Sequence, residues 1–246
     1  MKLLYYLAAI GGPRIDDKLK ILTRNLLYIN QTLQQNFSIV INCYNHAEEI
    51  SKFIKQFTFL DAIMFHYRPN SVLTELWFTN PYINAINTFD EILFILDDVS
   101  ISKLNIPKLI SIRKEHHLDI ISPAVIGATH EYMYSQSANS LAFTNHLEIY
   151  CMVITPEVFK KYLSLNSFEN KWIWGVDVLF GHFGVKTAVC YGMNVFHLIP
   201  SNGNGGHGRD HEAQSMMEAY LQKHGFQSFD QVCKIYPSIR HVITVK

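Results

Sequence analysis

Uninterrupted apolar runs alternate with 3.6-residue periodicity along the first half of the chain. The opening Met1-Lys-Leu-Leu-Tyr-Tyr-Leu-Ala-Ala-Ile10 is apolar almost throughout and stops at Gly11-Gly12, the pattern of a strand buried on both faces. Apolar residues then recur at Ile15, Leu19, Leu22, Leu26, Ile29 and Leu33, with Asp16 and Asp17 in the first turn. This predicts an amphipathic helix whose acids sit at the positive end of its dipole. Residues 37–42 read as a second strand, 48–56 as a weaker helix and 60–65 as a third strand. The β-α-β-α-β order predicts an α/β fold: a mixed, mainly parallel sheet flanked by helices and joined by right-handed crossovers.

A further apolar run, Glu91-Ile-Leu-Phe-Ile-Leu96, leads directly into Asp97-Asp98. Beyond it the pattern predicts a helix over 107–117, a strand over 120–125 and one long strand over 147–154. Thr155-Pro156-Glu157 then caps a helix running to Leu163, since Thr accepts from free amides and Pro suits the first helical position. Residues 185–196 give a last strand pattern, followed by the Gly-rich stretch 201–208. Two short helices end the chain, the first stopping at Gly225 and the second opening with Ser228-Phe-Asp-Gln231, a capping-box sequence. No repeat or linker divides the chain. It reads as a single domain over 1–246, with C-terminal helices over 211–246.

Composition excludes more than it identifies. The 246 residues are 48% hydrophobic and 17% charged, enough apolar material for a sizeable core. Lys plus Arg and Asp plus Glu both total 21, leaving no net field for nucleic acid or an anionic membrane. Cys43, Cys151, Cys190 and Cys233 are widely spaced in apolar surroundings, as expected of buried thiols in a reducing compartment. The first ten residues also admit a signal-peptide reading. The amphipathic helix that follows at once favours a core strand, and with it a cytoplasmic protein without a membrane span.

Three places carry candidate chemistry. Asp97 and Asp98 stand at the C-terminal end of a buried strand, where open α/β sheets bind ligands. Adjacent carboxylates there call for a cation or for hydroxyl and amide donors, which suggests a divalent metal with a phosphate-bearing substrate. Asp also begins turns and caps helices, so the pair alone is only moderately specific. The second place is Lys171-Trp-Ile-Trp-Gly-Val-Asp177. Trp172 and Trp174 offer flat faces for a sugar ring, and Asp177 offers a proton acceptor beside them. Equally, both tryptophans read as core anchors, with Asp177 in the first turn of a helix over 176–183. The third is Asn194-Val-Phe-His-Leu-Ile-Pro200, which sets His197 at a strand end before the Gly-rich stretch, as a late metal ligand or as an ordinary structural histidine. His207, Arg209 and His211 follow, with Arg209 a possible phosphate contact.

Taken in order, the β-α-β half, the mid-chain aspartates, Trp174-Gly-Val-Asp177 and His197-Leu-Ile-Pro200 resemble glycosyltransferases of the A-type fold. The nearest likeness is to small soluble members from large algal viruses and to plant proteins with a Trp-Gly-x-Asp segment. The resemblance covers residues 3–208 and implies a Rossmann-like, mainly nucleotide-binding half over 1–100 and a mainly acceptor- and metal-binding half over 101–210. Asp97-Asp98 stand where the family has Asp-x-Asp. Asp98 would then ligate Mn²⁺ or Mg²⁺ with His197, and Asp97 would contact the nucleotide along with Gly11, Gly12 and Arg14. Asp177 would be the catalytic base and Trp172 and Trp174 would bind the acceptor. The implied reaction is inverting transfer from a nucleotide diphosphate sugar, a UDP-sugar favoured, to a glycan or glycoprotein hydroxyl. Two other readings stand beside it. One is a nucleotidyltransferase, for which Gly11-Gly12-Pro13-Arg14 is short and poor in cations; the other is a non-catalytic carbohydrate-binding relative.

Overall fold

A computed structural model describes residues 1–134, 139–199 and 210–245. The Gly-rich stretch 201–208, with His207, and Arg209 lie outside the described residues, whereas His211 lies within α6 (Asp210–Lys223).

The first half follows the sequence pattern closely. β1 (Leu3–Ile10), β2 (Phe37–Cys43), β3 (Leu60–Tyr67) and β4 (Glu91–Ile95) are parallel neighbours in the order β4-β1-β2-β3, with α1 (Ile15–Leu33) and α2 (Ala47–Ile54) in the crossovers. β1, β2 and β4 are buried along nearly their whole length, which explains why they carry no alternation. The opening apolar segment is therefore a central strand. The short α3 (Leu73–Phe78), which the pattern leaves unmarked, buries Trp77, whose indole N–H donates to the Ala8 carbonyl at 2.7 Å.

Past β4 the sheet becomes mixed. β5 (Val99–Ser100), α4 (Ile106–Glu115), β6 (Ile120–Ile126), β7 (Ser140–Thr144), β8 (Cys151–Ile154), α5 (Pro156–Ser164), β9 (Thr187–His197), α6, α7 (Phe229–Ile235) and β10 (Ile239–Thr244) complete the described elements. The order across the sheet is β10-β7-β9-β6-β8-β4-β1-β2-β3. β7, β8 and the short β5 run against the other strands. α5 opens as expected, with the Thr155 hydroxyl accepting from the Val158 amide at 3.3 Å, and α6 gives way to Gly225 in the left-handed region.

The structure departs from the sequence reading in three places. Residues 147–150 do not extend β8: the Leu147 amide turns aside to the Asp177 carbonyl, and the ladder begins at Cys151. Residues 176–183 form successive turns instead of a helix. After α7 the chain adds β10, which pairs antiparallel with β7, so the C-terminal segment joins the sheet as well as packing helices on it. β9 carries a bulge: Cys190 pairs with Pro123 but Asn194 with Ala124, leaving Tyr191, Gly192 and Met193 as the surplus on its side.

Candidate functional site

The end of β4 is held from two sides. On α1, the buried Asn25 donates to the Val99 carbonyl at 2.8 Å and accepts from the Ile101 amide at 3.0 Å, fixing the backbone just past Asp97 and Asp98. On the other side β5 pairs with the far end of β9, Val99 opposite His197, and the Leu198 amide donates to the Asp98 carbonyl at 2.9 Å. Residues almost a hundred positions apart are thereby brought together. His197 Nε2 lies 2.9 Å from Asp98 Oδ2, while its Nδ1 lies 3.1 Å from the Gly127 carbonyl. Burial lowers the His197 pKa, but the hydrogen bond and charge of Asp98 outweigh it and the net shift is upward.

Asp98 Oδ1 is buried and has no partner. A buried carboxylate oxygen without a donor is costly, and a cation is what that oxygen and the imidazole nitrogen would both accept. Among the described residues no group of three or more His, Cys, Asp or Glu side chains is placed to hold a metal. Two protein ligands still fit Mg²⁺ or Mn²⁺, because such ions commonly keep waters and take substrate phosphates for the remaining positions.

Asp97 has a different partner. Lys18, one turn into α1, reaches Asp97 Oδ2 at 2.8 Å and the Gly11 carbonyl at 2.7 Å. Burial, with the like charge of Asp98 behind it, pushes the Asp97 carboxyl up to about 6 against the pull of Lys18. The glycine loop packs on the end of β2. The Gly12 amide donates to Asn45 Oδ1 at 2.5 Å, and any β-carbon on Gly11 would collide with that same Asn45 side chain. Arg14 turns away from the aspartates and pairs with Asp17 at 3.1 Å, its side chain 56% exposed. Lys18, not Arg14, is the cation the fold brings to the carboxylates. Its spacing of four from Arg14 on the helix was the available signal.

Asp177 sits in the turns after Trp174-Gly175. Gly175 has φ 93°, and a β-carbon there would press on Met217 and Tyr220 of α6, so the turn needs glycine for both conformation and space. The carboxylate accepts from the Val178 amide at 3.1 Å and lines a cavity of about 150 Å³ together with His130, Tyr132, His146, Glu148 and Phe229. Burial, then the charge of Glu148, pushes Asp177 up to about 7. Glu148 itself rises to about 7, through burial opposed by backbone amides, Tyr150 and the charge of His197. Glu148 thus lies within electrostatic reach of both His197 and Asp177. Read as a strand residue in the sequence, it gave no sign of this role; the turn ahead of β8 frees it. Trp174 is exposed and Trp172 half-buried, and neither lines the cavity at Asp177.

The fold has counterparts among solved structures. GalNAc-T7, determined with UDP, GalNAc and Mn²⁺, is similar with a TM-score of 0.54 at 9% identity, over 82% of this chain and 44% of that one. S. aureus TarS is similar with a TM-score of 0.55 at 13% identity, over 91% of this chain and 39% of that one. The TarS 1-349 structure gives 0.55 at 11% identity, over 90% of this chain and 65% of that one. The fold is that of the A-type glycosyltransferases. This chain spans less than half the length of the GalNAc-T7 and full TarS structures. No protein-family model matches the chain, and no curated protein matches it in sequence. Among the described residues no helix is long and apolar enough to cross a membrane.

Proposed function

We propose that the protein is a glycosyltransferase that uses a nucleotide diphosphate sugar, with the donor at the β4 end and the acceptor at Asp177. The observation that carries this reading is the Asp98–His197 pair, with one buried carboxylate oxygen left unpartnered, at the mouth of an A-type fold. The solved GalNAc-T7 structure contains UDP and Mn²⁺, which supports a UDP-sugar and Mn²⁺ as the first ligands to test here. The finer likeness to enzymes of large algal viruses rests on motif order alone.

Asp98 and His197 would hold the cation, whose positive charge would offset the departing diphosphate. A histidine ligand favours Mn²⁺ over Mg²⁺. Lys18 holds Asp97 in place beside Gly11 and Gly12, leaving Asp97 to receive the nucleotide's hydroxyls. Asp177 takes the proton of the acceptor hydroxyl as that oxygen bonds to the anomeric carbon and the bond from carbon to diphosphate oxygen breaks. Attack from the side opposite the diphosphate inverts the anomeric centre. A carboxyl raised to about 7 suits this task, because it is basic enough to take a proton and still ionised in part at neutral pH.

The test is a thermal-shift and calorimetric panel of nucleoside diphosphates and their sugars, with and without Mn²⁺, followed by product analysis. Mn²⁺-dependent stabilisation by one nucleotide, lost in Asp98→Asn, and release of the nucleoside diphosphate are the expected results. Release of pyrophosphate would identify a nucleotidyltransferase, and nucleotide binding without turnover a non-catalytic relative.

A further inference from the structure

We infer that the cavity at Asp177 is a binding site for a single hydroxyl-bearing ring without a negative charge, and that His146 and Glu148 position it there. Its role as acceptor site rests on the glycosyltransferase reading; its capacity to bind such a ring does not.

His146 is 2% exposed and lines the cavity, yet its Nε2 is buried without a partner. The ring is fixed from behind, its Nδ1 lying 3.3 Å from the Ser238 hydroxyl and its face tilted against Phe229 at 6.1 Å. Buried polar atoms are ordinarily satisfied. A ring nitrogen left open toward a cavity is therefore a vacancy for a ligand's hydrogen bond. Burial pushes the His146 pKa down to about 4, so the imidazole stays neutral and one nitrogen can donate or accept according to tautomer.

Across the cavity Glu148 is already oriented, one oxygen accepting the His130 amide at 3.1 Å, with Asp177 beside it. Neither carboxylate is in a salt bridge among the described residues. A ligand carboxylate would meet two acids with no lysine or arginine among the described lining residues to offset it, and would be rejected. Hydroxyls can donate to the carboxylates and answer His146 at once. Tyr132 and Phe229 supply flat walls for C–H faces. Size sets the extent: the space is about 150 Å³, and an apolar cavity of about 150 Å³ holds one benzene. One ring fits, and a longer glycan would extend outward from it.

The test uses ligand-observed NMR on the full chain with methyl glycosides at millimolar concentration. A neutral set (glucoside, galactoside, xyloside) is compared with the corresponding glucuronide. Wild type is compared with Glu148→Gln, which keeps shape, and His146→Phe, which fills the vacancy; melting curves establish that each variant is folded. The expected result is saturation transfer to at least one neutral glycoside, at least fivefold above the glucuronide, and a fivefold or greater loss in each folded variant. Equal or stronger binding of the glucuronide, survival of the neutral signal in either folded variant, or no signal from any glycoside would overturn the inference. UDP with Mn²⁺ is measured on the same samples. If wild type binds glycosides as expected but never UDP, the ring site stands and the transferase reading falls.

Discussion

The β4 end and the Asp177 cavity each present two carboxylates, but they manage that charge in opposite ways. Asp97 has Lys18 at 2.8 Å and Asp98 has His197 at 2.9 Å, and the backbone between them is locked by Asn25 and by the β5–β9 pairing. Asp177 and Glu148 are opposed mainly by backbone amides, and both are driven upward by burial. Burial also raises Asp97, to about 6, so the difference lies in the partners: side-chain nitrogens at the strand ends, backbone amides in the turns. Under the proposed function the first region would hold the charged donor and the second would take the acceptor's proton.

Removing the proton acceptor should have the largest effect. Asp177→Asn is expected to lower transfer by about 10²–10⁴-fold, the usual contribution of a general base, while nucleotide binding measured by calorimetry is retained. Unchanged turnover would dissolve the distinction between the two regions. Asp98→Asn should do the reverse and remove Mn²⁺-dependent stabilisation by nucleotide, a gain of about 2.7 kcal/mol at a hundredfold excess over Kd, read as a lost thermal shift.

Lys18→Met should cost about 1–3 kcal/mol in denaturant unfolding by leaving a buried carboxylate without its donor, and Arg14→Met much less. Equal effects would mean that Lys18 does not hold the aspartate. The pH dependence then sharpens the contrast. Asp177 and Glu148 bind protons more tightly folded than at their ordinary values of 3.8 and 4.5, so the folded state holds more protons between those values and about 7, and stability falls as pH rises through that window. Glu148→Gln should therefore raise Tm at pH 8 relative to wild type, with the gap closing toward pH 4. Transfer by wild type should run the other way, declining as pH falls below about 7 because the base must be ionised. The smallest effect is expected for Trp174→Ala on stability, within about 0.5 kcal/mol for an exposed site; an accompanying rise in acceptor KM would support its sugar-stacking role.

Much of the strand-end region could be read from the chain. Continuous apolar runs mark β1, β2 and β4, and Asp97-Asp98 follow the last of them without a gap. His197 was visible as a residue, but its pairing with Asp98 depends on β5, two residues long, which no periodicity can reveal. The cavity was harder to see because its walls come from turns. Glu148 looked like part of a strand until the Leu147 amide was found bonded to the Asp177 carbonyl. His146, Phe229 and Ser238 meet only because β10 brings the end of the described chain back against β7, a long-range pairing that local pattern does not encode.

The bulge in β9 bears on the Asp98–His197 pair. Because side chains alternate from one side of a strand to the other, an odd surplus reverses the parity of everything downstream. The three unmatched residues Tyr191, Gly192 and Met193 thus decide which side of the sheet receives His197. Inserting or deleting one residue among them, with the register otherwise kept, would present Phe196 or Leu198 to Asp98 in its place. The imidazole is written at position 197, but the side it faces is counted from Gly192.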